Sequence, residues 1–440
     1  MIRQAPLTPA QLASSQFNLY ASSLINGLAY MCLGETVLIL LAVRLGCPDY
    51  IVSALGAMVY FGCLLLPLGK VVTARVGAAK SYAAFWAARN VAALLVALAA
   101  LASIAEKPQT ATVLLLVGAF LFYGFRAAGV AMSQPLVGNI TTKRDRSQVI
   151  GVNSGLFYAA CLVSLVTISL LLKFRDELAM LTGIVVVGAT LGLTASRFIN
   201  RIDETESIRE AARQPIRSEF RAVLRDRVMM RQLAAGFAIN LGLLMLVPIS
   251  MLALKRGYGV SDTRALLFAL AQLGMAAVAS FLSRKIDARF GSRRTLLYAF
   301  LLLVAIGPVW MLAPSGFHPF YLLLPFLCAG ATNVITLNAT MHYFLQTVPE
   351  RRQVAGSMFI WVVNGAGAGL VGMVLAGALL NLSARFNPAD SLLPGYRIYF
   401  GLASLLLTGG VWLILRLPLL PGEERQGPEH HLDEGRKALP

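Results

Sequence analysis

Long apolar stretches separated by short polar segments run along the chain from residue 18 to residue 417. Each stretch holds about 19 to 27 mostly apolar residues, which is long enough for an α-helix to cross a hydrocarbon layer about 30 Å thick. The pattern therefore predicts an all-α multi-pass membrane protein with twelve transmembrane helices. The predicted spans are residues 18–43, 50–69, 81–105, 110–136, 149–172, 178–197, 231–254, 263–282, 295–313, 319–345, 354–380 and 397–417.

Composition and charge support the same class of protein. Hydrophobic residues make up 57% of the chain and charged residues 13%, whereas about 25% charged residues are usual in a soluble domain. Of the 38 Lys and Arg, 27 fall in the termini and the even-numbered connections, and nine fall in the odd-numbered connections. Because cytoplasmic loops carry the excess of positive charge, we predict a plasma (inner) membrane protein with both termini in the cytoplasm.

The net charge of +17 does not indicate a nucleic-acid partner, because the basic residues are spread over short loops and form no single stripe. The N-terminal segment lacks the charged front and short apolar core of a cleaved signal peptide, so we expect the first span to be retained. Four of the five cysteines lie within predicted spans, which argues against a disulfide framework.

Three short segments recur at matching places in the two halves of the chain. They are "AVRLG" (42–46) and "ALKRG" (253–257), "TARVGAAKS" (73–81) and "DARFGSRRT" (287–295), and "DRSQVIG" (145–151) and "ERRQVAG" (350–356). Three echoes in the same order predict a duplication into two pseudo-symmetric six-helix bundles. We place these bundles at 1–197 and 231–417, a cytoplasmic amphipathic linker at 198–230, and a cytoplasmic tail at 418–440. In the linker, Phe220, Val223, Leu224 and Val228 recur at helical spacing.

The six-plus-six plan, with a basic glycine-containing loop after spans two and eight, resembles the major facilitator superfamily over residues 16–417. Arg75-Val76-Gly77 and Arg289-Phe290-Gly291 match the second part of that family's loop pattern, but its Asp position holds Ala74 and Ala288. The resemblance implies alternating access between two bundles, and two interpretations of the loops stay open, anchoring of helix ends or gating. The candidate gate residues are Arg75, Gly77, Lys80, Asp287, Arg289, Gly291, Arg293 and Arg294.

Three ionisable residues lie deep within predicted spans, namely Glu35, Arg89 and Arg126. Such groups face protein or a wet cavity and often mark a path for ions or substrate. In the family that the chain resembles, spans one, four, seven and ten line the central cavity, which implies a cavity position for Glu35 and Arg126 and a bracing role for Arg89. The Arg126 guanidinium can hold a carboxylate or a phosphate, or it can pair with Glu35, which we propose binds a coupling proton.

Neutral polar side chains complete the predicted binding chamber. In the second half they lie on spans seven, ten and eleven, where Asn333, Thr336 and Thr340 form a stripe at helical spacing. Together with polar residues of the first half they predict an amphipathic chamber around Arg126. The predicted substrate-binding residues are Arg126, Glu35, Asn26, Tyr123, Asn153, Tyr158, Asn240, Asn333, Thr336, Trp361 and Asn364.

These residues favour a secondary active transporter that moves a small organic anion, with proton coupling as an option. Transport of a sugar or another neutral metabolite stays open. Drug efflux is a further alternative, although the Gly-Pro signature of drug/proton antiporters is missing from span five. A non-transporting receptor or scaffold also stays open. An enzyme is not expected, because the chain holds no His-Glu-x-x-His, no Gly-x-Ser-x-Gly and no Cys/His pair at metal spacing. We expect a monomer in a lipid bilayer, with no cofactor and no metal.

Overall fold

The computed structural model describes residues 2–47, 51, 55, 58–174, 178–386 and 392–419. Nearly all of its secondary structure is helical, apart from two strands of two residues each. The elements in chain order are β1 (Ile2–Arg3), α1 (Pro9–Leu33), α2 (Glu35–Arg44), α3 (Leu66–Val76), α4 (Ala78–Ile104), α5 (Pro108–Val130), α6 (Ser133–Asn139), α7 (Arg146–Phe174), α8 (Leu178–Asn200), β2 (Glu204–Thr205), α9 (Glu206–Arg213), α10 (Ile216–Arg225), α11 (Arg227–Leu252), α12 (Asp262–Phe290), α13 (Ser292–Val304), α14 (Ile306–Met311), α15 (Pro319–Thr347), α16 (Glu350–Ile360), α17 (Ala368–Ala384) and α18 (Leu393–Leu415).

The helices form the predicted twelve-span, two-bundle arrangement, and several spans consist of two segments. Among the described residues, 11 helices are long and apolar enough to cross a membrane, from Met58–Val76 to Leu393–Leu415. The first span is not one of them, because α1 carries many Ser, Asn and Gln side chains. Gly34 separates α1 from α2 with an extended backbone, φ −68° and ψ 166°. Spans seven and eleven contain π-helical turns at Ala253–Gly257 and Trp361–Gly367.

The linker is more elaborate than the single helix that its hydrophobic spacing predicts. Strand β2 pairs in parallel with the N-terminal strand β1, and α9 lies between α3 of the first bundle and α16 of the second. Helix α10 ends before Asp226, whose carboxylate accepts hydrogen bonds from the backbone N–H groups of Val228 and Met229. Because Asp226 caps the next helix, Val228 belongs to span seven and not to the amphipathic linker helix. We call the face of the molecule that holds this linker the linker face.

The repeated loops have the same backbone conformation in both halves. Gly77 ends α3 with φ 92°, and Gly291 ends α12 with φ 77°. Both values lie in the left-handed region that glycine adopts without strain. A second pair is formed by Gly46 and Gly259, with φ 69° and 64°. After spans one and seven the matching glycines are therefore Gly46 and Gly259, whereas the sequence echo had aligned Gly46 with Gly257.

The two bundles meet along α7 and α12 and are joined by hydrogen bonds towards the linker face. Arg146 Nη1 donates to the Leu345 carbonyl at 2.9 Å, and Ser357 Oγ donates to the Ala131 carbonyl at 2.7 Å. Arg146 also donates to the Gly138 carbonyl of its own bundle at 3.3 Å. Since buried polar groups are costly to leave unpaired, these bonds hold the linker-face end of the interface closed.

Candidate functional site

Five of the predicted binding residues surround one cavity between spans of the second bundle. Its volume is about 110 Å³, and its lining includes Asn240, Asn333, Thr336, Trp361 and Asn364, as well as Thr340. Asn240, Asn333 and Asn364 each lie 13 or 14 residues from the linker-face end of their helices. At a rise of 1.5 Å per residue this is about 20 Å. The side chains therefore lie at one level, near the middle of the helices of spans seven and ten.

Some polar atoms of this cavity are already used by the protein, and others have no partner. Asn240 Nδ2 donates to the Gly236 carbonyl at 2.8 Å, and the Thr336 hydroxyl donates to the Thr332 carbonyl at 2.8 Å. In contrast, three buried atoms of cavity-lining residues make no hydrogen bond within the part of the chain that the structure describes. They are Gln134 Oε1, Trp361 Nε1 and Asn364 Oδ1.

Arg126 lies in the first bundle at the same depth, 13 residues before the end of α6 at Asn139. Its guanidinium carbon is 5.2 Å from the centroid of the Tyr30 ring, a distance at which a cation is attracted to the ring face. The side chain is half-buried. Among the side chains that the structure describes, no carboxylate forms an ion pair with it.

A chain of aromatic rings joins Arg126 to the cavity of the second bundle. The Tyr30 ring lies 5.6 Å from Phe157, and Phe157 lies 5.3 Å from Tyr158. Asn333 Nδ2 donates to the Tyr158 hydroxyl at 3.5 Å. Tyr158 and Asn333 are thus in contact across the interface between the bundles, and the rings of Phe157 and Tyr30 lie between Tyr158 and Arg126.

Arg89 is fully buried and packs between two rings. Its guanidinium carbon is 4.2 Å from the Trp86 centroid and 4.8 Å from the Phe122 centroid. Arg89 Nη2 donates to Asn26 Oδ1 at 3.4 Å, and Trp86 Nε1 donates to the same oxygen at 3.2 Å. Asn26 therefore connects span one to span three, so the structure places it beside the bracing arginine and not in the cavity lining.

The remaining predicted residues of the first bundle occupy different surroundings. Asn153 Oδ1 accepts a hydrogen bond from Ser23 Oγ at 2.6 Å. Tyr123 is buried and stacks edge-on against Phe122 at 5.2 Å. Glu35 is the first residue of α2, directly after the break at Gly34. Its side chain lies outside the described part of the structure, so its proposed pairing and proton binding stay predictions.

The candidate gate residues split into exposed and buried groups. Arg75, Lys80 and Arg289 are exposed, and Arg293 and Arg294 are half-buried. Arg293 Nη2 donates to the Leu415 carbonyl at 2.5 Å within the second bundle. Asp287 is buried; Ser292 Oγ donates to its Oδ1 at 2.8 Å, and its Oδ2 lies 2.5 Å from His342 Nδ1. Asp287 therefore ties together spans eight, nine and ten of its own bundle.

Several residues that shape the site were missed by the sequence analysis. Gln134 lines the cavity from α6, but nothing in its neighbourhood in the sequence distinguishes it from a packing residue. Arg146 joins the two bundles and stands in the repeated segment "DRSQVIG", so the repeat was a usable signal. In the described part of the chain, no group of three or more His, Cys, Asp or Glu side chains is placed to hold a metal ion.

Comparison with known proteins gives a consistent result. The family model described as Major Facilitator Superfamily matches residues 19–372, which is more than half of the chain. A solved bacterial homologue of the iron transporter ferroportin, in an outward-facing state, superposes with a TM-score of 0.70 at 12% identity, covering 91% of this chain and 98% of that one. The fucose:proton symporter of E. coli superposes with a TM-score of 0.64 at 12% identity, covering 92% and 98%. At such identities the likeness concerns the fold alone. No curated protein sequence matches the chain.

Proposed function

Because the chain belongs to the major facilitator superfamily, we propose that it is a secondary active transporter that moves a small organic anion across the plasma (inner) membrane by alternating access. It works as a monomer with both termini in the cytoplasm, so that the linker face is the cytoplasmic face. The excess of Lys and Arg in the even-numbered connections supports this orientation. No enzymatic step is part of the proposal.

The observation that carries the anionic substrate is Arg126. A guanidinium at this depth is costly unless it is paired or hydrated, and among the described side chains no carboxylate pairs with it. A substrate carboxylate or phosphate that binds two nitrogens of the Arg126 guanidinium would supply the negative charge that balances it. The Tyr30 ring lies beside Arg126, and its hydroxyl group is available to the same ligand.

Proton coupling is assigned to Glu35 in this proposal. The break at Gly34 makes Glu35 the first residue of a helix that begins inside the first span. Free backbone N–H groups at such a helix start favour the ionised carboxyl, whereas the membrane interior favours the protonated one. A change in water access during the transport cycle can therefore move the proton on and off.

Binding and uptake measurements test the anion proposal. Thermal denaturation of the purified protein with a panel of carboxylates, phosphates, sugars and amines at two pH values should show stabilisation by anions, because a ligand that binds the folded state raises its stability. Arg126→Gln should reduce the affinity for these anions by about tenfold or more. Equal stabilisation of wild-type protein and Arg126→Gln by every anion would rule out this role for Arg126.

Uptake into proteoliposomes tests the coupling separately. We expect Glu35→Gln to bind the anion but to lose the pH dependence of transport. An unchanged pH dependence would remove Glu35 from the coupling mechanism without affecting the anion proposal.

A neutral metabolite such as a sugar is the second candidate substrate class. It is favoured by the cavity of the second bundle, whose polar lining consists of amides, hydroxyls and an indole N–H. In that case sugars and not anions would stabilise the protein, and Arg126→Gln would leave their affinity unchanged.

A further inference from the structure

The chemistry of the site differs between the two bundles. The first bundle presents a single positive charge, Arg126, beside the Tyr30 ring. The second bundle, together with Gln134 of the first, lines the cavity with neutral groups that can donate or accept hydrogen bonds. A ligand that satisfies both sides needs a negative charge at one end and neutral polar groups at the other.

Three unpartnered atoms define what the neutral end must supply. Gln134 Oε1 and Asn364 Oδ1 are acceptors, Trp361 Nε1 is a donor, and all three are buried without a partner among the described residues. Each such atom costs free energy until something bonds to it. A hydroxyl group is suited to this set, because it donates one hydrogen bond and accepts others.

Arg126, Asn333 and Asn364 lie at the same depth on the two sides of the interface between the bundles. Asn333 lines the cavity and donates to the Tyr158 hydroxyl at 3.5 Å, and Tyr158 belongs to the aromatic chain that leads to Arg126. The Trp361 indole adds an apolar face, against which the C–H groups of a hydroxylated carbon chain pack.

Building on the transport function proposed above, we infer that the substrate is a small carboxylate that carries hydroxyl groups, a hydroxy acid or sugar acid. Its carboxylate binds Arg126, and its hydroxyl groups bind Gln134, Trp361 and Asn364. This assignment makes the three residues determinants of specificity: they select hydroxylated carboxylates over plain fatty or aliphatic acids of the same length.

Binding of matched probes to the purified full-length protein tests the inference. One triad is gluconate, hexanoate and glucitol, and a shorter triad is glycerate, propanoate and glycerol. Each triad compares a hydroxylated carboxylate with the same chain lacking hydroxyls and the same chain lacking the carboxylate. We expect the hydroxylated carboxylate of at least one triad to bind about tenfold or more tightly than both of its partners.

Variants that lack the polar atoms identify the groups responsible. Gln134→Met keeps the approximate shape of the side chain, and Trp361→Phe keeps an aromatic ring of smaller size; both remove the unpartnered atoms. We expect each variant to weaken binding of the hydroxylated carboxylate about tenfold and to change binding of the plain carboxylate less than twofold. Gln272→Met, the same change at a half-buried glutamine of span eight that does not line the cavity, is the control and should leave both affinities unchanged.

A second readout separates a binding role from a structural one. Because Gln134→Met replaces an unpaired buried polar atom with an apolar group, the ligand-free variant should melt at the same temperature as the wild type or a few degrees higher. A lower melting temperature would show that Gln134 serves the fold and would remove it from the specificity set.

The outcomes distinguish this inference from the transport proposal. The hydroxy-acid inference would be wrong if gluconate bound no more tightly than hexanoate, and glycerate no more tightly than propanoate, with no effect of Gln134→Met. That result would leave the anion site in place. Tight binding of glucitol or glycerol that is insensitive to Arg126→Gln would overturn the carboxylate assignment in both proposals. If none of the probes binds, the inference is wrong for substrates of these chain lengths, even if other anions of the panel stabilise the protein.

Discussion

At the scale of single residues, the structure separates two arginines that look alike in the sequence. Arg89 is fully buried between Trp86 and Phe122. Arg126 is half-buried beside Tyr30 and lies level with the cavity. The family resemblance predicted a bracing role for Arg89 and a cavity position for Arg126, and both roles stay predictions. The rings around Arg89 could not be predicted, because Phe122 belongs to a different span and its distance depends on helix packing.

Arg89→Lys tests the bracing role. An ammonium group cannot stack flat between two rings as a guanidinium does, so we expect a loss of about 1–2 kcal/mol in the free energy of unfolding. Thermal denaturation in detergent measures this loss, and ligand binding should change less than twofold. Arg126→Lys is the matched control and should show the opposite result, with stability kept and anion affinity reduced. Loss of binding without loss of stability in Arg89→Lys would make Arg89 a ligand of the substrate.

At the scale of elements, the linker supplies a carboxylate to the loop after span two, which lacks an acidic residue at the position that the family pattern predicts. The acidic position of the family's loop pattern holds Ala74 in the first half. In the structure, Glu204 of β2 reaches the start of α4 and accepts hydrogen bonds from the N–H groups of Ala78 and Ala79 at 2.8 and 3.1 Å. Burial raises the pKa of this carboxyl above its ordinary value, and the two N–H donors partly offset the effect.

Glu204→Gln should alter the pH dependence of stability. Because the pKa of Glu204 is higher in the folded protein than in the unfolded chain, its contribution to stability falls as the pH rises from 4.5 through the raised value. The difference in unfolding free energy between wild type and Glu204→Gln should therefore decline over this window and become constant above it. Denaturation between pH 4 and pH 8 measures the difference. A difference that grows with pH would mean that the N–H bonds to the carboxylate outweigh burial.

The loop glycines make a second prediction at this scale. At Gly77 the backbone has φ 92°, and a methyl group would overlap the Glu204 carboxylate. We expect Gly77→Ala to lower the free energy of unfolding by about 1–3 kcal/mol. Gly183→Ala is the control, because Gly183 lies within α8 with open space around it. There alanine should stabilise the helix by about 0.5–1 kcal/mol, and equal melting temperatures of the two variants would argue against strain at Gly77.

Which elements could be predicted depended on the kind of signal. Apolar length gave the twelve spans, and the repeated "RVG" and "RFG" segments gave the matching loops at Gly77 and Gly291. The break at Gly34, the cap at Asp226 and the pairing of β1 with β2 were missed. The break and the cap each depend on one residue, and the strand pairing depends on a contact between distant segments. Such features leave no periodic pattern in the sequence. The cavity residues on spans seven, ten and eleven were found because polar groups are rare there.

At the scale of the whole molecule, alternating access requires the linker-face contacts to break. The bond from Ser357 to the Ala131 carbonyl and the bond from Arg146 to the Leu345 carbonyl cross between the bundles. The exposed loop residues Lys80 and Arg289 lie on the two bundles of this face. Buried apolar side chains of both bundles, among them Leu136 and Phe344, pack at the same end, so these hydrogen bonds add to an apolar contact.

Ser357→Ala should shift the balance between closed and open states. Removal of one buried hydrogen bond costs the closed state about 1 kcal/mol, which changes the ratio of the states about fivefold. Spin labels at positions 80 and 289, with the native cysteines replaced, report the separation of the bundles. Ser169→Ala is the control, since that hydroxyl bonds only within α7, to the Leu165 carbonyl. An unchanged distance distribution in Ser357→Ala would show that the bond contributes nothing to closure.

The polar character of the first span bears on how the protein is made. Helix α1 is too rich in Ser, Asn and Gln to rank with the 11 apolar helices of the described chain, and it packs chiefly against α7 and α8. Those partners emerge from the ribosome more than a hundred residues after α1. We therefore expect α1 to reach its final packing only after α7 and α8 have been synthesised.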